Sequence, residues 1–319
     1  MIYLQYIINF KENYFRILLM NTYSLKDLSD LSRLDEQMIV LWDKKFKLFN
    51  EDKIDKNSLF NHDHLKKVII ISFLIESNKK YTVENLSVKS LSEIQLLSEF
   101  EIQNYIQKNK SYEPIIELLI CSCFSYDTRS FDTILTLCFN KIGIEKCCID
   151  IVFPFLSKMS IILEKYTIQE SVISFSKNLI RKHLFYLIKS IPYSDQNSRK
   201  WLLFLPEKEN EDLELIYTHL LLKINNEKGI YLGENQSLNS ILECIENTQI
   251  THIFIYISKN YDSTSLEIYL ESITKNLPNV TIFVATYTIL KEKITEKVPY
   301  INVNTPTAFN SYLQKIMAM

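Results

Sequence analysis

Glycine is nearly missing from this chain of 319 residues; it stands only at Gly143, Gly229 and Gly233. A P-loop and a GxGxxG fingerprint both need clustered glycines, because only a backbone without Cβ comes close enough to phosphate. Both are excluded, and with them many nucleotide-dependent enzymes. An excess of one charge is lacking too. Lys and Arg number 36 against 38 Asp and Glu, a formal net charge of −2, so no global basic field recruits nucleic acid. No uninterrupted apolar run reaches the roughly 18 residues of a membrane span, and no membrane partner is expected. Among the six cysteines (121, 123, 138, 147, 148 and 244) there is no CxxC pair. They lie in apolar stretches, which predicts buried, reduced thiols in a cytoplasmic protein. No HExxH, nucleophile triad or acid/base carboxylate pair occurs, so neither a catalytic residue nor a metal site is expected, and the chain is not expected to be an enzyme.

What is present is the composition of a folded protein, 47 % hydrophobic and 23 % charged, with length for two or three domains. Residues 1–19 are apolar but broken by Lys11, Glu12 and Arg16. They lack the long apolar region and cleavage site of a signal peptide. They are read as an extension, with Met20 as the natural start.

Residues 201–233 carry the clearest local pattern. Trp201 to Leu205 is a continuous apolar run, as expected of a strand buried on both faces, and Pro206 ends it. Glu209, Glu211 and Asp212 then crowd a helix start, where exposed N–H groups favour negative charge. Leu213, Ile216, Tyr217, Leu220 and Leu221 fall on one helical face. Ile230 to Leu232 opens a second strand, and Gly233 is expected to turn after it. The alternation continues. Helices are predicted over 237–247, 264–276 and 307–317, and strands over 252–257, 280–285 and 299–303. Five strands with intervening helices predict a flavodoxin-like, doubly wound parallel sheet. Upstream, residues 113–191 show helical periodicity over 114–124, 128–141, 144–165, interrupted near Pro154, and 168–190, as in a bundle.

In the first hundred residues, Leu25, Leu28 and Leu31 make one apolar face. Ser32 to Asp35 makes a turn with Asp35 as a plausible N-cap. Met38, Ile39, Leu41 and Trp42 are assigned to the buried side of a second helix. A longer helix is predicted over 65–77, a short helical pair over 81–97, and His62 and His64 are placed in a surface loop.

Residues 23–49 resemble the winged helix-turn-helix of MerR-type regulators, and the whole chain is similar to the vitamin-B12-dependent, light-responsive members of that group. The resemblance implies DNA contact by the second helix and the following wing. Two of the group's arginine positions fall on Val40 and Lys45, its glycine on Lys47, and its wing reads EDKIDKNSLF, with Ser58 at a further arginine position. The residues implied to touch DNA are therefore Gln37, Lys44, Lys45, Lys47, Lys53 and Lys56, with weak affinity unless copies associate.

The same resemblance implies a cobalamin site, and the chain departs from it. A cobalt-ligating histidine falls on Glu211, and a glycine beneath the corrin on Glu214. A Glu-His pair over the upper face falls on Ile173 and Ser174, which are expected to serve packing instead. A Gly pair around the nucleotide tail falls on Ala285 and Thr286, beside a retained Ser258. Carboxylate suits harder ions than cobalt does.

The expected organisation is an extension (1–19), a winged helix-turn-helix (20–97), a helical cap (98–192) and a flavodoxin-like α/β domain (199–319). The expected function is a homo-oligomeric transcription regulator that binds double-stranded DNA weakly and has lost cobalamin. The alternatives are a cobalamin-binding regulator and a protein-interaction module without DNA contact.

Overall fold

The computed structural model describes residues 22–49, 54, 57–108, 111–165, 169–192, 199–257, 263–286, 300–303 and 306–317. Contacts divide the chain into two compact units, one ending at Leu179 and the other beginning at Ile180.

The first unit is helical among its described residues. Ser24 begins it with a capping box: its Oγ accepts from the Asp27 N–H, and Asp27 accepts from the Ser24 N–H at 2.8 Å. Helix α1 (Leu25–Ser32) buries Leu25, Leu28 and Leu31, and ends where Arg33 turns left-handed at φ 59°. Helix α2 (Glu36–Phe46) follows, with Asp35 at its N-cap but without a side-chain capping bond. Ile39 and Trp42 face inward, as expected. Met38 and Leu41 do not; they are 44 % and 42 % exposed. Each precedes an inward residue by one position, and a step of about 100° turns it outward. The inward position goes instead to Asp43, whose Oδ1 accepts the Phe49 N–H at 2.9 Å.

Helix α3 (His62–Ser77) starts earlier than expected and absorbs both histidines assigned to a loop. Asn61 caps it by accepting from the His64 N–H. His62 Nδ1 pairs with the Tyr23 hydroxyl at 2.7 Å, and the His64 ring packs against Phe49 and Phe60. Much of the expected wing, including Lys53 and Lys56, lies outside the described residues. Within them, Tyr23 and Phe60 form an antiparallel bridge, with Phe60 buried and Leu59 exposed.

Helices α4 (Val83–Ser87), α5 (Leu91–Lys108), α6 (Glu113–Phe124) and α7 (Thr128–Ile142) continue the unit. The boundary expected at residue 97 falls inside α5. After α8 (Ile144–Cys147) comes a π turn, Cys148–Val152, then α9 (Phe153–Lys165). The cause of this interruption is Pro154, which has no N–H to give the Asp150 carbonyl. The Phe153 N–H reaches back five residues to Cys148 instead. Helix α10 (Glu170–Ser190) contains the division between the units.

The second unit is an α/β sheet. Its strands are β1 (Lys200–Pro206), β2 (Lys228–Gln236), β3 (His252–Tyr256), β4 (Thr281–Ala285) and β5 (Ile301–Val303), parallel and in the order β2-β1-β3-β4-β5. This is the flavodoxin-like order, with its switch point between β1 and β3. Leu202, Phe204, Ile253, Ile255, Ile282 and Val284 cover one face, under helices α12 (Leu238–Glu246) and α13 (Ser263–Asn276). Trp201, Phe254 and Phe283 lie on the other, where Phe309 of α14 (Pro306–Met317) meets all three rings edge-on. Helix α11 (Leu213–Ile224) buries all five of its expected inward residues. One expectation fails. Gly233 does not end β2; it lies inside the strand at φ +85°, opposite Phe204, where the register shifts.

Candidate functional site

Two places bear on function. The first is the outward side of α2. Gln37, Met38, Leu41, Lys44, Lys45 and Lys47 are all exposed there, while Val40 is half-buried. None of the three lysines makes an ion pair among the described residues. Arg33, in the turn before α2, is committed elsewhere: its guanidinium pairs with Glu117 at 2.7 Å and Glu76 at 3.2 Å.

The second place is the carboxyl end of the sheet, where ligands of such folds bind. The loop after β1 is stitched to the end of β2. The Lys208 N–H donates to Asn235 Oδ1 at 2.9 Å, and the Asn235 N–H donates to the Glu209 carbonyl at 3.0 Å. Both residues have positive φ, 71° and 55°. Tyr269 of α13 clasps the same corner: its hydroxyl accepts the Glu207 N–H and donates to the Gln236 carbonyl at 2.9 Å.

The acidic run differs in detail from a helix start. Helix α11 begins at Leu213, so only Glu214 lies in its first turn. Asp212 occupies the cap position but makes no capping bond. Its oxygens are taken by Arg181, at 2.6 Å from Nη2 and 3.1 Å from Nε, and by the Tyr231 hydroxyl at 3.2 Å. The hydrogen bond that Arg181 donates to Asp212 holds its guanidinium above its ordinary pKa. Burial, reinforced by the Asp212 charge, pushes the Tyr231 phenol up, so it stays a donor. Glu211 is exposed, Glu214 half-buried, and Glu209 buried.

Other expected positions fall as follows. Ile173 is half-buried on α10, but Ser174 is exposed, so it is not the packing residue expected; it lies on the outer side of the helix. Ala285 and Thr286 are buried at the end of β4, and Ser258 lies outside the described residues. Burial raises the Cys121 thiol to about 12 and pushes Cys123, Cys147 and Cys148 up as well, which leaves these thiols protonated and unreactive. Among the described residues, no three His, Cys, Asp or Glu side chains come together to hold a metal, and no helix is long and apolar enough to cross a membrane.

Arg181, Tyr231, Asn235 and Tyr269 were not singled out from the sequence. Arg181 and Asp212 stand 31 positions apart, and no local pattern links them. Only Asn235, soon after Gly233, carries a recognisable signal, since Asn tolerates positive φ.

No protein-family model matches the chain, and no curated protein does. Solved structures do. The chain is similar to the monomethylamine corrinoid protein of Methanosarcina barkeri, at 13 % identity over 66 % of this chain and 100 % of that one, with a TM-score of 0.48. A novel cobalamin-binding protein from Desulfitobacterium hafniense DCB-2 is matched at 8 % identity over 64 % of this chain and 97 % of that one, TM-score 0.32. The methanol:cobalamin methyltransferase complex from Methanosarcina barkeri is matched at 9 % identity over 64 % and 80 %, TM-score 0.35. The chain itself has, among the described residues, helices followed by a five-stranded parallel sheet.

Proposed function

We propose that this chain is a DNA-binding transcription regulator of MerR type whose α/β unit does not take cobalamin. The observation that carries the first half is the outward side of α2. Gln37 is suited to adenine, Met38 and Leu41 to thymine methyl groups, and Lys44, Lys45 and Lys47 to phosphate. A module with so few cationic contacts binds weakly alone, so a homo-oligomer presenting two copies of α2 is part of the proposal.

The second half rests on a poor fit at the carboxyl end of the sheet. Where the resemblance calls for a histidine on cobalt, Glu211 offers an exposed carboxylate. The loop carrying it is tied to β2 through Lys208, Glu209 and Asn235, and Asp212 is held by Arg181. Ala285 and Thr286 put buried side chains where the nucleotide tail needs glycine-sized room.

Duplex binding followed by anisotropy across a salt series tests the first half. Weak, salt-sensitive binding is expected, and it is lost when Lys44, Lys45 and Lys47 become Glu. Three lost phosphate contacts lower the salt slope by roughly 2–3. An unchanged slope in the triple variant overturns α2 as the DNA surface. Incubation with hydroxocobalamin in the dark, then gel filtration, tests the second: the protein is expected to elute colourless, and a stoichiometric corrin spectrum overturns it. The exposure of Met38 and Leu41 side by side favours one other reading, a protein-interaction face; absence of any duplex binding at low salt would support it.

A further inference from the structure

In the first unit, a cavity of about 710 Å³ opens between the end of α2, the start of α3 and the α4–α5 turn. Lys67 stands in its wall, half-buried, with Nζ donating to the Leu48 and Ser87 carbonyls at 3.0 Å each. An ammonium has three protons, and these bonds use two. Its partners are neutral. Among the described residues no carboxylate lies within ion-pair distance of Lys67, and burial alone lowers its pKa. A charge that gives up water usually gains a counter-charge, and the described residues supply none. Lys47 and Lys89 line the same cavity and are likewise without ion pairs among the described residues. The charge of Lys89 does bear on Glu93, but the Glu93 carboxylate is held by Ser90. Among the described residues, the one carboxylate in the wall is Asp63, which is exposed. Among the described residues, three cations thus face a space of ligand size against one anion.

We propose that this cavity seats a phosphate group. Lys67 is its fixed point, because two carbonyls already hold the ammonium and little freedom remains to be lost on binding. Lys47 and Lys89 close on it from the rim. The phosphate can belong to the DNA backbone, which rests on the proposed DNA reading, or to a free phosphorylated small molecule, which does not.

Equilibrium dialysis of the full chain against radiolabelled inorganic phosphate, at ionic strength fixed with chloride, reads the site directly. Saturable binding of one phosphate per chain is expected. It weakens about tenfold or more in the Lys47→Gln/Lys89→Gln double variant and is lost in Lys67→Met. If Lys67→Met does not fold, the double variant decides, since neither of its residues anchors another. Binding no greater than to chloride, or binding indifferent to these substitutions, overturns the proposal. A duplex assay then separates the sources. Competition between phosphate and DNA, with parallel losses in the Lys47/Lys89 variant, assigns the seat to the backbone. Phosphate binding that persists without competing identifies the free molecule. Lys44→Glu/Lys45→Glu distinguishes the two failures: it is expected to weaken DNA binding and leave phosphate binding intact.

Discussion

His219 shows how one side chain can set the response of the molecule to acid. Its ring stacks on Tyr231 with centroids 5.5 Å apart, and its Cδ2 lies 3.1 Å from where a Cβ on Gly229 would stand. A Cβ there would require the His219 ring to give by a few tenths of an ångström. Nδ1 is buried without a hydrogen-bond partner. Burial, helped by the charge of Lys223, lowers the imidazole to about 4 from its ordinary 6.5. The folded state therefore takes up the proton less readily than the unfolded state. The contribution is complete above 6.5 and is lost as pH falls towards 4, which costs about 2 kcal/mol between about pH 7 and pH 5. Burial lowers His62 and His252 too, with the same sign. Urea unfolding at the two pH values checks this: His219→Gln is expected to flatten the loss by about 2 kcal/mol. An identical loss in the variant would mean that other groups carry the acid sensitivity.

At the scale of elements, β2 turns on one residue. Gly233 sits inside the strand at φ +85°, and a Cβ there would meet the Tyr231 ring at 3.4 Å. Contact is ordinary, so the cost of Gly233→Ala is conformational, about 1–2 kcal/mol, read from a urea midpoint. A neutral substitution would show that the bulge relaxes without strain. The sequence predicted the strand but placed its end at this glycine, because an isolated Gly signals a turn and a bulge alike. The inner strands β1, β3 and β4 were legible, since strands covered on both faces read as unbroken apolar runs such as Trp201 to Leu205. The break near Pro154 was legible for a similar reason: a missing N–H is a property of the residue itself. The inward side of α2 was not. Met38 and Leu41 are as apolar as Ile39 and Trp42, and nothing in their spacing foretells that Asp43 would take the buried place. The candidate sites were legible only in part. The exposed lysines of α2 are local, whereas Arg181 with Asp212, and Lys67 with Leu48 and Ser87, are joined by the fold alone.

For the whole molecule, the division after Leu179 places one of the two tryptophans in each unit. Trp42 packs in the helical unit, 8 % exposed, and Trp201 is fully buried in the sheet, its Nε1 donating to Glu227. Trp42→Phe and Trp201→Phe thus leave one reporter apiece. Glu227 keeps its Arg199 partner at 2.6 Å in the second variant, so the sheet is expected to fold. Two units with separate cores predict urea curves that do not superimpose. Coincident midpoints would mean that the chain unfolds as a single cooperative body. The bulge at Gly233 has one more consequence, for how copies of this protein tolerate crowding. β2 is an outer strand of the sheet and the longest, nine residues against three in β5 at the opposite border. A long, straight border would offer a template for strands of other copies. A kink two-thirds of the way along it, with charged Lys228 at its start, makes that border a poor template for strand addition.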